Sequence, residues 1–110
     1  MKLLVIGKPK DAVATLAPAL IRQLFETSLN AIRQQKKEGK VLEAYYSPVG
    51  CSVAILDYKG ADEWVKDQTS VPILRYYDWE VYPLADFDES MKGILEGLKA
   101  AENMVATTAK

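Results

Sequence analysis

Along this chain, compact apolar runs and longer stretches of helical spacing succeed one another, and nearly every change falls at a glycine or proline. Residues 3–6 form a short apolar run closed by Gly7 and Pro9, which suits a buried central strand better than a helix. From about Leu16, the apolar residues Leu20, Ile21, Leu24, Phe25 and Ile32 recur every three or four positions. Arg22, Gln23, Glu26, Asn30 and Arg33 fill the opposite side, so an amphipathic helix is predicted. Pro18 is tolerated in its first turn, where a missing N–H has no intrahelical partner, and Gly39 supplies a stop just beyond Lys37.

Residues 41–47 and 51–58 are two runs rich in apolar and aromatic side chains, separated by Pro48 and Gly50, and they predict a β-hairpin. Residues 61–68 set Trp64 and Val65 among acidic and basic neighbours and predict a short second helix. Residues 73–84 are dense in β-formers, with Pro72 and Pro83 at the ends, and predict a long last strand. The order strand, helix, strand, strand, helix, strand predicts an α+β fold of the ferredoxin-like kind, a four-stranded antiparallel sheet with helices on one face. Beyond it, Asp88 is a candidate N-cap for an extra C-terminal helix carrying Met91, Ile94, Leu95, Leu98 and Ala101 on one side. The domain is expected to span residues 1–104, with a flexible tail at 105–110.

Strand alternation divides each strand between the helix layer and an open face. In the last strand Tyr77, Trp79 and Val81 suit the helices, while Tyr76, Asp78, Glu80 and Tyr82 share the opposite side; in the hairpin Glu43 and Tyr45 alternate with Leu42, Ala44 and Tyr46. Such a face can simply meet water. Large tyrosine area beside a few polar groups is also the usual lining of ligand pockets and interfaces, so a homodimer closing over this face is expected.

Composition narrows the function. At 110 residues, with 49% hydrophobic and 26% charged residues, the chain is one ordinary domain. Its net charge of −1 lacks the long-range field that draws a protein to nucleic acid. No run reaches membrane-spanning length, and the single Cys51 can build neither a disulfide within the chain nor a zinc cluster, which points to a reducing cytoplasm. Gly7-Lys8-Pro9-Lys10 lacks the spacing of a phosphate-binding loop, Cys51 reads as an idle thiol, and Trp64 and Trp79 read as core.

At the last strand the chain resembles the muconolactone isomerase family. The matching residues are Pro72, Tyr76, Asp78, Glu80 and Val81 in the pattern P-x-x-x-Y-x-D-x-E-V, with Leu84 shortly after and Glu38-Gly39 similar to the family's helix end; the likeness covers roughly residues 36 to 87. The resemblance implies ferredoxin-like chains pairing sheet to sheet into a dimeric α/β barrel, and a cofactor-free proton shift on a small unsaturated lactone, enol or polyketide-like compound. The chain has no histidine, so such chemistry must draw on carboxylates, tyrosines, lysines or the thiol. Asp78 and Glu80 are the leading catalytic bases, Tyr76 or Tyr45 could donate to an enolate oxygen, and Glu43, Tyr82 and Arg75 are candidates for binding substrate. Two classes stay open: an isomerase or cyclase using a barrel carboxylate, and a non-catalytic binding or interaction module in which Asp78 and Glu80 are structural.

Overall fold

In the computed structural model, which describes residues 1–108, the elements are β1 (Lys2–Pro9), α1 (Pro18–Lys37), β2 (Val41–Tyr46), β3 (Ser52–Asp57), α2 (Ala61–Gln68), β4 (Tyr77–Leu84) and α3 (Phe87–Thr108). Short 3-10 turns occupy Asp11–Thr15 and Pro72–Tyr76. The four strands form one antiparallel sheet in the order β2-β3-β1-β4. β1 is central, as its apolar run suggests, but it extends past Gly7 because Lys8 and Pro9 pair with Asp78 and Tyr77.

α1 begins on Pro18, whose fixed φ suits the first turn. It ends on Gly39 at φ 79°, where Lys40 N–H bonds to the Gln35 carbonyl and Gly39 N–H to that of Lys36. This pair of bonds is the Schellman arrangement, and it needs a left-handed residue that glycine alone supplies cheaply. The turn delivers Lys40 into a cluster of carboxylates: its Nζ lies 2.8 Å from Asp67, 3.1 Å from Glu38 and 3.1 Å from Glu63. Tyr58 donates its hydroxyl to the same Asp67 at 3.1 Å. The end of α1, the start of β2 and α2 are thereby tied together.

One core cluster is built of Leu3, Val5, Val41, Leu56 and Tyr58, with Trp64 of α2 and Trp79 packed against it. A second consists of Val71, Ile73 and Tyr77 under Leu24, Ala31 and Ile32 of α1. Between α1 and that second cluster sits Ser28, the buried polar residue of the helix, whose Oγ accepts the Ile73 N–H at 3.1 Å. Replacing Ser28 with alanine is expected to cost about 1–2 kcal/mol, because the Ile73 donor would be left buried and unpaired. A thermal melt showing a fall in Tm of less than about 3 °C would contradict this.

Two expectations need correcting. Residues 73–76 are not strand: after Pro72 the chain tightens into a 3-10 turn in which Ile73 N–H bonds to Ser28 and the Leu74 carbonyl accepts from Trp79 Nε1 at 2.9 Å, and only the Tyr76 carbonyl still meets the end of β1, accepting the Lys10 N–H at 2.8 Å. Tyr76 therefore does not share a strand face with Asp78. α3 is capped by Asp86, whose Oδ2 accepts the Glu89 N–H at 3.0 Å, and not by Asp88. It runs as helix through Thr108, and residues 109 and 110, the end of the expected 105–110 tail, lie outside the described residues.

α3 projects. The Cα radius of gyration is 20.0 Å and the longest extent 72 Å, against about 13 Å expected for the radius of a compact chain of this length. Among the described residues no element packs extensively on α3, and Phe87, Ile94, Leu95 and Leu98 are all more than half exposed.

Candidate functional site

On the helix-facing side of the sheet, the strands present small side chains: Ala44 lies opposite Ala54, Tyr46 opposite Ser52, and Gly7 opposite Trp79. Small residues over three strands leave room under α1, and an apolar cleft results. Its inner compartment, about 90 Å³, lies among residues such as Val5, Val41, Leu56, Tyr58, Trp64 and Ile32. A wider one of about 270 Å³ opens past Phe25, Leu29, Tyr45 and Tyr46. Ile32, Ala44, Ser52, Leu74 and Trp79 line both, so the two compartments adjoin, and the wider one approaches the ~300–1,000 Å³ range of ligand pockets.

Trp79 is the wall between the compartments. Its indole is fixed at three points: Nε1 donates to the Leu74 carbonyl, the ring lies directly over Gly7, and Tyr77 stacks on it at 5.6 Å between centroids and 28° between planes. Tyr46 stands beside Tyr77 in the lining of the cleft's wider end. Burial first, and the neighbouring Tyr46 phenol second, hold the Tyr77 phenol above the ordinary tyrosine range, so it is a neutral donor throughout the physiological range. Among the described residues, no carboxylate, lysine or arginine lines either compartment. The polar groups facing the space are phenols, Ser28, Ser52, Gln35 and Gln68, which suit orientation of an uncharged ligand by hydrogen bonds.

The residues singled out from sequence gather on the other side of the sheet. Register sets Tyr45, Val53, Ile6 and Glu80 in one row across the four strands and Glu43, Ile55, Leu4 and Tyr82 in the next. The middle of this face is thus aliphatic, and each edge carries a tyrosine and a glutamate. The edges match in detail: Tyr45 donates to Glu43 at 3.0 Å, and Tyr82 donates to Glu80 at 2.8 Å. Each carboxylate first accepts the hydrogen bond and then acts by charge to raise its phenol's pKa. Asp78 is exposed, with its nearest cation, Lys10, at 4.0 Å.

Glu43, Tyr45, Asp78, Glu80 and Tyr82 therefore share a face as alternation predicts, and Tyr76 and Arg75 are apart from them in the 3-10 turn. Arg75 borders a shallow surface depression with Gln68, Thr69 and Trp79. Of all these candidates only Tyr45, on the edge strand, also touches the cleft. Leu42 is displaced by a bulge between Val41 and Glu43, so Val41, not Leu42, packs toward the helices.

What the sequence did not reveal is the cleft and its three aromatic fixtures, Tyr46, Tyr77 and Trp79, assigned there to the helix layer and the core. The signal was present in the small residues Gly7, Ala44, Ser52 and Ala54 facing large aromatics, but it becomes a void only when the strands are laid side by side. Among the described residues no three potential ligands lie together to hold a metal ion, and no helix is long and apolar enough to cross a membrane. The chain matches no protein-family model and no curated protein.

Proposed function

We propose that this chain binds a flat, largely apolar small molecule in the cleft between α1 and the sheet, with the Tyr46 and Tyr77 phenols meeting a carbonyl or hydroxyl of the ligand. The observation that carries this reading is the lining itself: aliphatic and aromatic walls, a stacked Trp79–Tyr77 pair, and no charged group. A space of that character rewards burial of apolar surface and penalises a charged ligand. The strand order β2-β3-β1-β4 with α1 and α2 on one face supports a ferredoxin-like arrangement. The aliphatic middle and polar edges of the open face, in turn, have the anatomy of an interface and support pairing into a dimeric α/β barrel.

A cofactor-free isomerase or cyclase of the muconolactone isomerase kind is the second reading, favoured by the two Tyr–Glu pairs that such pairing would enclose. It ranks behind the first because Asp78 and Glu80 lie across the sheet from the cleft. Its signature would be turnover of an unsaturated lactone that falls at least about a hundredfold in Glu80→Gln.

Calorimetric titration with flavone, a planar uncharged ketone, separates the two. Saturable binding at one site per chain is expected, weakened about 3- to 10-fold by Tyr77→Phe or Tyr46→Phe, each of which removes one hydrogen bond. Glu80→Gln should leave the affinity unchanged. Absence of saturable binding, or an equal loss in Glu80→Gln, would place the ligand elsewhere.

A further inference from the structure

We propose that α3 of one copy docks on the outer stripe of α1 of a second copy and closes the mouth of that copy's cleft. The closure rests on the ligand-binding reading; the docking does not. On α3, helical spacing gathers Phe87, Met91, Ile94, Leu95 and Leu98 into one apolar stripe, which the structure leaves exposed along a projecting helix. An acid borders each end of it, Asp88 and Glu102, fourteen residues and hence about 21 Å apart.

α1 carries the counterpart. Arg22, Phe25, Leu29, Arg33 and Lys36 succeed one another at spacings of three and four and form a single outward stripe. Phe25 is 37% and Leu29 46% exposed, and both border the cleft's wider opening. Cations stand at the two ends, Arg22 and Lys36, again fourteen residues apart; Arg22 bonds to Glu26 at 3.1 Å on the surface. Laid along α1, in either direction, α3 sets acid on cation at both ends, with Phe25, Leu29 and the aliphatic stem of Arg33 against its apolar residues between.

Charge also argues for this occupant over the alternatives. α3 has Asp88, Glu89, Glu96 and Glu102 against Lys92 and Lys99, whereas α1 has Arg22, Arg33, Lys36 and Lys37 against Glu26. Two α3 helices paired antiparallel would set Asp88 against the other's Glu102, acid on acid, at both ends. A chain's own α1 is out of reach because the two residues Ala85 and Asp86 between β4 and α3 direct the helix outward, over a total extent of 72 Å. Exchange by a two-fold axis makes two such contacts per pair, enough to approach the ~1,200 Å² at which stable interfaces begin.

The midpoints of the two stripes are Leu29 and Leu95, whichever way the helices run, and this gives the test. In a Cys51→Ser background, copies carrying Leu29→Cys are mixed with copies carrying Leu95→Cys and oxidised with glutathione disulfide. The mixed 29–95 disulfide is expected to dominate over the two symmetric ones when quantified by mass spectrometry. Arg22→Glu with Lys36→Glu on the first copy should cut its yield about fivefold, and Asp88→Lys with Glu102→Lys on the second should restore it. A mixed yield no higher than random pairing overturns the proposal. So does indifference to charge reversal, or a 29–95 link that closes only within single chains when both cysteines are on one. None of these readouts involves a ligand, so failure of the cleft to bind flavone would leave them intact.

Discussion

Replacing Gly7 by alanine is expected to destabilise the protein by about 2–3 kcal/mol and to lower Tm by roughly 10 °C or more. In most strands the same change would help slightly, since glycine has the greater entropy to lose. Here the sign is decided by Trp79. A Cβ on Gly7 would fall 2.6 Å from Cη2 and 2.8 Å from Cε3 of the indole, and closer still to Cζ3. The ring cannot step aside cheaply, because its Nε1 is bonded to the Leu74 carbonyl and its face is stacked on Tyr77. Moving it gives up that hydrogen bond and pushes the indole into the cleft whose wall it forms. The melt should therefore be accompanied by a red shift of tryptophan emission and by loss of flavone binding. A Gly7→Ala protein with unchanged Tm and unchanged affinity would show that Trp79 is not the fixed wall described above.

Asp67→Ala is the second large effect, about 2 kcal/mol and roughly 10 °C in Tm. Asp67 accepts from both Lys40 and the buried Tyr58, and its removal leaves the phenol without its acceptor in a core where Tyr58 is 3% exposed. The same cluster fixes the pH range of stability. Lys40, chiefly, and then Tyr58 hold the Asp67 carboxyl below its ordinary value of 3.8, so its contribution is complete above about pH 4 and is lost as pH falls through the lower, folded value. Lys40 is held above its ordinary 10.5, first by Asp67 and then by Glu38 and Glu63, and Tyr58 is pushed up to about 12, first by burial and then by Asp67. Both groups keep their protons longer folded than unfolded, so their contributions persist at neutral pH and drain away above about pH 10. Denaturant midpoints measured against pH should be flat from about 4 to 10 and fall on both sides. In Asp67→Ala the acid-side fall should be shallower. A wild-type midpoint that already declines between pH 7 and 9 would contradict this assignment.

Element types were legible in the sequence wherever one periodicity held long enough to be read. The stripe from Ile21 to Ile32 gave α1, Ala61–Gln68 appeared with its observed bounds, and the turn residues Pro48 and Gly50 separated β2 from β3. Alternation also placed Glu43 and Tyr45 on the same face as Glu80 and Tyr82, although at the opposite edge of the sheet, because a two-residue period survives everything except a bulge, and the bulge displaced only Leu42. The turn at Pro72–Tyr76 was illegible for a different reason. Ile73, Tyr76 and their neighbours have strand propensity, and what overrides it is a serine 45 residues away and an indole five residues ahead that take up the backbone groups. The cap of α3 was ambiguous between Asp86 and Asp88 because both are carboxylates before an apolar stripe, and only geometry chooses.

The candidate site divides along the same line. A polar face is a property of one strand at a time, so the tyrosine and carboxylate residues could be grouped from the sequence. A cavity is a deficit of volume summed over β1, β2, β3 and α1, and no single segment carries that information. Tyr77 and Trp79 were therefore read correctly as packing toward the helices, but their role as the walls of a space could not be read from either of them.

The most direct measurement is a two-dimensional NMR titration of the protein with flavone, following the Trp79 indole N–H and the isoleucine methyls. Ligand in the cleft should shift Trp79 and Ile32 strongly, both of which line it, and leave Ile6 and Ile55, on the opposite face, almost untouched. Shifts concentrated on Ile6 and Ile55 with Trp79 silent would put the binding site on the open sheet face, among Glu43, Tyr45, Glu80 and Tyr82, and would contradict the cleft as the functional site.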